Sequence, residues 1–242
     1  MKTFRKKYLP DGFSVERIDQ INERLQFYRR MKFAVLDSEK QTTIEAVSYW
    51  TLVLLQVHVR RALALVDGGL DASKEKNTLI TYFCARALYE SSALIWHILE
   101  TLMPFLEADD FKGAGELLKK SLLPSRVYSE KGTISEPFKA TNILTYIDRI
   151  DKVKPGFRDQ YDDLSEIVHP NYPGLMELFS TVGEGNVTHF HDGEPWKQMS
   201  LNFLIHGAYH FTMAAPGVIT VYEKCLALLE KQITAYSQLL PE

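Results

Sequence analysis

Cysteine is scarce: the 242 residues hold two, Cys84 and Cys225, both in apolar helical context. That excludes a disulfide framework and reads as two buried thiols in a reducing, cytoplasmic compartment. Excess charge of one sign is also missing. Lys and Arg number 28 against 31 Asp and Glu, a net charge of −3, which argues against wholesale electrostatic binding of nucleic acid. A secretory leader is not expected, because no apolar run follows the basic Met1–Pro10 segment with Lys2, Arg5, Lys6 and Lys7. One membrane-like window occurs, Leu201 to Tyr222, which has no Asp, Glu, Lys or Arg. It contains Asn202, His206, His210 and Pro216, and no second span accompanies it, so a buried central helix is expected and no membrane partner. A glycine-rich phosphate loop is absent as well. Gly183-Glu184-Gly185 and Gly113-Ala114-Gly115 lack the strand-then-helix setting such loops require, and no cofactor is expected.

What is present is helical periodicity. With 45% hydrophobic and 24% charged residues the composition is that of an ordinary globular domain. The expected fold is all-α: one multi-helix bundle over residues 1–242, with an N-terminal arm at 1–13 and a small β-hairpin insertion near 178–191. Ser14–Leu36 reads as an amphipathic helix. Ser38 with Gln41 forms a capping box that opens a second helix, which Gly68 and Gly69 are expected to stop. A third helix is expected from about Ser73 to Leu102, antiparallel to the second, ending near Pro104. Shorter helices follow at 109–122, 142–152 and 156–169, with a loop at 124–137. His169-Pro170 closes the last of them, since proline disfavours α geometry in the residue before it. A final long helix is expected from Trp196 to Leu239, kinked or broken at Pro216.

Two polar stripes lie on faces that otherwise read as apolar: Tyr82, Arg86, Tyr89, Glu90, Ala93 and His97 in the third helix, and Arg158, Tyr161, Ser165 and His169 in a later one. Polar groups on inward faces must be desolvated and re-paired, so the stripes mark the candidate site. Arg86 stands four residues before Glu90, the weaker order for an intrahelical pair, which favours partners elsewhere. Its planar fork suits a phosphate or carboxylate. The bland alternative is an Arg–Glu network joining helices. His169, at a helix C-terminus, suits a general acid or base, with Ser165 or Tyr161 positioning a ligand. The alternative is a histidine bonded to the loop that Pro170 begins. No nucleophile elbow surrounds Ser165, and Glu166-Ile-Val-His169 has no second copy, as a di-iron bundle would need. His189 and His191 share a strand face and His206 and His210 a helix face, a set able to hold a transition metal but as easily filled by chance. Arg29-Arg30 with Lys32 and the N-terminal cluster read as solvated faces.

Arg86-Ala-Leu-Tyr-Glu90 in one helix and Tyr161-Asp-Asp-Leu-Ser165-Glu-Ile-Val-His169-Pro-Asn171 in another resemble a set of bacterial helical proteins with Arg-x3-Glu and Tyr-x2-Leu-Ser-x3-His-Pro elements. Through that set residues 75 to 175 are distantly similar to the HEPN superfamily. The resemblance implies a helical bundle, often a homodimer, sometimes a metal-independent endoribonuclease. The ribonuclease members carry Arg-x4–6-His within one helix, and no Arg here is followed by His at that distance. Three functions therefore stand side by side. In the first, Arg86, Glu90, Tyr161, Ser165, His169 and Asn171 line a pocket for a small anionic or nucleotide-like ligand, or a partner's acidic group. In the second, His169 and Arg86 cleave RNA from two different helices. In the third, both stripes are structural.

Overall fold

The structure, a computed structural model, describes residues 2–10, 12–36, 43–122 and 141–233. Its α-helices are α1 Val15–Arg30, α2 Thr43–Lys74, α3 Thr78–Glu107, α4 Phe111–Leu122, α5 Ile143–Asp151, α6 Phe157–Val168, α7 Lys197–Met213 and α8 Ala215–Ile233. The all-α bundle expected from the periodicity is what forms. Its sheet is a two-stranded antiparallel hairpin of β1 Ser180–Val182 and β2 Thr188–Phe190, in register Ser180 to Phe190, Thr181 to His189 and Val182 to Thr188. The capping box at Ser38 and Gln41 and the loop 124–137 lie outside the described residues.

Helix α3 is the central rod. It packs on α2 and α7 along its length and touches α4, α5, α6 and α8. Leu88, Ile95 and Leu102 on its inner face are fully buried, in one core with Leu55 and Val59 of α2 and Leu204, Ala208 and Phe211 of α7. Burying each such side chain is worth about 1.5–3 kcal/mol before chain entropy is counted. The uncharged window expected to be a central helix is divided between α7 and α8, which meet at a 40° bend. Pro216 falls in the first turn of α8, where its missing N–H removes no helical bond. No single described helix is long and apolar enough to cross a membrane.

Three helix ends depart from the sequence reading, each for a tertiary reason. Helix α2 runs through Gly68 and Gly69 to Lys74. A Cβ on Gly69 would lie 2.6 and 2.8 Å from the Leu204 methyls and 3.1 Å from the Cys84 Cβ. The glycine lets α2 approach α3 and α7; it does not stop the helix. Helix α3 continues past Pro104 to Glu107, burying Leu106, which offsets the bond the proline lacks. Helix α1 stops at Arg30, short of Leu36, because α2 supplies a substitute partner. The Gln56 amide donates to the Met31 carbonyl at 2.7 Å and accepts from the Phe33 N–H at 3.1 Å, completing the orphaned end.

The N-terminal arm is docked. Phe4 is buried, and the Asn22 side chain of α1 brackets it, accepting from the Phe4 N–H at 2.9 Å and donating to its carbonyl at 3.0 Å. This holds the basic arm against the end of α2 and the start of α7.

Candidate functional site

The two polar stripes meet, in part. Arg86 Nε donates to Ser165 Oγ at 3.1 Å, and one Nη donates to Tyr161 Oη at 3.0 Å. The Tyr161 hydroxyl in turn donates to Glu90 Oε1 at 3.1 Å, and Arg86 and Glu90 stand 3.5 Å apart. The guanidinium also lies over the Tyr161 ring, 5.3 Å from its centre. Burial, then the Glu90 charge, hold the Tyr161 phenol above its ordinary pKa, so it stays protonated and bridges cation and anion. Four of the expected site residues thus form one closed, charge-neutral network joining α3 to α6.

His169 and Asn171 stand outside it. His169 caps α6 in extended geometry (φ −79°, ψ 148°), as Pro170 requires, and is exposed. Among the described residues its imidazole has no hydrogen bond, ion pair or ring partner. Asn171 organises the turn that follows: its amide donates to Glu166 Oε2 at 2.6 Å, and its side-chain oxygen accepts from the Gly174 N–H at 3.2 Å. A π-helical turn follows, Pro173–Glu177, which no pattern in the residues announces. It packs so tightly on the end of α6 that a Cβ at Gly174 would fall 2.0 Å from the His169 carbonyl oxygen.

The other stripe members go elsewhere. Arg158 pairs with Asp148 and Asp162, while His97 accepts from Arg149 at 2.8 Å. The Tyr89 hydroxyl donates to Gln160, and its ring packs beside Phe157 and His210. The four histidines considered for a metal are dispersed. His189 and His191 are on the hairpin, where His191 Nδ1 accepts from the Gly193 N–H at 3.2 Å. His206 packs edge-on to Phe13, and His210 lies among Tyr89, Phe157 and Tyr209. Burial, then the neighbouring His206 and Lys154, push His210 down to about 3, so it is neutral, with its Nε2 sealed and without a partner among the described residues. Among the described residues no three His, Cys, Asp or Glu side chains gather as metal ligands.

An open site lies where the arm meets the bundle. A hollow of about 460 Å³ is lined by Thr3, Phe4 and Arg5 of the arm, Leu70, Ser73 and Lys74 of α2, and Lys197, Gln198, Leu201 and Ile205 at the start of α7. It adjoins a smaller recess of about 310 Å³ that adds Lys2. Its floor is apolar and its rim cationic. Lys2 and Lys74 share Asp71, whereas Arg5 and Lys197 have no partner among the described residues. The rim also carries the Glu194 carboxylate, which accepts from the Asp192 N–H at 3.0 Å and keeps its charge, leaving the cations in excess. Lys197 opens α7 directly behind a 3-10 turn, Glu194–Trp196, whose Glu194 carbonyl accepts the Lys197 N–H, so the hollow's cationic character comes from side chains and not from an open helix end. Sequence reading took the basic arm as a solvated face. Nothing in the sequence shows that the arm and the start of α7 adjoin. Compared with known proteins, the chain matches no protein family, no curated protein and no solved structure.

Proposed function

We propose that this protein is a helical binding module for a small anionic ligand of phosphate or nucleotide-like character, seated in the hollow between the arm, the end of α2 and the start of α7. The observation that carries the reading is the convergence of Arg5 and Lys197, two cations without partners among the described residues, on one hollow. Unpaired cations stabilise an anion placed between them, and the docked arm pre-organises them. The apolar floor of Phe4, Leu70, Leu201 and Ile205 suits a ligand with an organic body. Two free thiols fit a cytoplasmic setting for such a ligand.

The Arg86 cluster supports this function only as a brace. Its cation is matched by Glu90, and the exposed face of α6 beside it carries Asp159, Asp162, Asp163 and Glu166. The one arginine of that helix, Arg158, is committed to Asp148 and Asp162. A phosphodiester approaching Arg86 and His169 would meet this acidic face, so the ribonuclease reading has less support. Calorimetric titration with inorganic pyrophosphate and with AMP tests the binding reading. Saturable binding that weakens at least tenfold in Arg5→Ala/Lys197→Ala, and weakens with added salt, is expected. No heat from either ligand, or equal affinity in the double variant, would remove it.

A further inference from the structure

On another side of the bundle a second hollow, of about 410 Å³, shares no lining residue with the cationic one. It opens between the C-terminal half of α3, helix α5 and the bend where α7 meets α8. Its walls are apolar: Trp96, Leu99, Met103, Ile150 and Pro216. Such a volume falls within the roughly 300–1,000 Å³ common for small-molecule sites.

The polar groups of this hollow are few and complementary to a carboxylate. Arg149 is exposed and has no acidic partner among the described residues. One of its Nη groups donates to His97 Nδ1 at 2.8 Å, which fixes the imidazole as the neutral tautomer carrying its proton on Nε2. Burial and the Arg149 charge, partly opposed by Glu100, pull the His97 pKa down and keep the ring neutral. The ring is also held against Tyr146, centre to centre 4.7 Å. Arg149 Nε and its second Nη are therefore left as donors, while His97 Nε2–H points to the other side of the ring. The guanidinium presents one positive charge and a planar two-donor edge at an apolar chamber.

We infer that this hollow is a binding site for a small amphipathic carboxylic acid, its carboxylate held by Arg149, which His97 orients, and its apolar body laid against Trp96, Met103 and Ile150. An uncharged ligand of the same shape would leave the arginine without its counter-charge. A phosphate monoester would place a second negative charge toward Glu100, which is on the rim.

Trp96 in the wall gives the readout. In a Trp50→Phe/Trp196→Phe background, Trp96 is the only tryptophan and its fluorescence reports the hollow. The probes are 4-phenylbutyrate, its alcohol 4-phenylbutanol, and phenyl phosphate. Saturable change with 4-phenylbutyrate, at least tenfold weaker with the other two, is expected. Arg149→Gln should reduce 4-phenylbutyrate affinity at least tenfold. Glu100→Gln, which removes a like charge from the rim, should leave it equal or tighter. Both residues are exposed, so far-UV circular dichroism is expected to match the parent. No saturable change with 4-phenylbutyrate, equal binding of the alcohol, or unchanged affinity in Arg149→Gln would each overturn the assignment.

Discussion

Arg86 and Arg5 show how differently one side chain can be used in one molecule. Arg86 has its Nε on Ser165, an Nη on Tyr161, and Glu90 beside it, in a network whose charges cancel. Arg5 has no partner among the described residues and faces a hollow beside the equally unpaired Lys197. The first arrangement holds two helices together. The second leaves unspent charge at a place a ligand can reach. Polar residues on an inward face are therefore weaker pointers to function than polar residues whose hydrogen-bonding capacity is unmet beside a cavity.

The closed side should show itself first as acid lability. His210 packs behind the network, against Tyr89 and Phe157, with its pKa held near 3 in the folded chain, against about 6.5 when unfolded. Its folded pKa is the lower one, so the unfolded chain takes up the proton first. Stability is complete above about pH 6.5 and falls by about 1.4 kcal/mol per pH unit below it, roughly 3 kcal/mol by pH 4.5. Urea titrations between pH 7 and 4.5 should show this slope, and His210→Phe should reduce it by one proton. His58, half-buried in α2 and lowered to about 4 by desolvation and then the Arg61 charge, adds a second such slope. An unchanged slope in His210→Phe would break the assignment.

Breaking the brace comes next. Arg86→Ala strands Glu90 and the Tyr161 hydroxyl and should cost about 2–3 kcal/mol in urea unfolding, since hydrogen bonds to charged groups are worth roughly 1.5–3 kcal/mol. Pyrophosphate affinity of the folded variant should stay within twofold of the parent. Tyr161→Phe keeps both charges and removes only the bridge, so about 1 kcal/mol is expected. Smallest of all should be the effect of Arg5→Ala on unfolding, within about 0.5 kcal/mol, because the side chain is exposed and unpaired. A large loss there would mean that Arg5 is structural and would erase the contrast between the two regions.

Periodicity made the helices legible, because the inner faces of α1, α3, α5 and α6 repeat at helical spacing. The hairpin was legible from its turn residues. The meeting of Arg86 with Tyr161 and Ser165 was legible too, as matched polar stripes on two helices. What the sequence could not show depended on distant neighbours. Gly69 looks like a stop signal until Leu204 is placed against it, and the end of α1 depends on Gln56, 25 positions beyond the Met31 carbonyl it caps. His97 and Arg149 are separated by 52 residues, and Arg5 by almost the whole fold from Lys197. No local pattern links such pairs.

The location of the anion is the claim on which the account turns. Amide and arginine side-chain NMR spectra recorded during a titration with inorganic pyrophosphate test it most directly. The account predicts saturable shifts in residues 3–5, 70–74 and 196–201, with the Arg86 Nε signal and the amides of α6 unmoved. Shifts centred on Arg86, Ser165 and His169, with the arm silent, would contradict it.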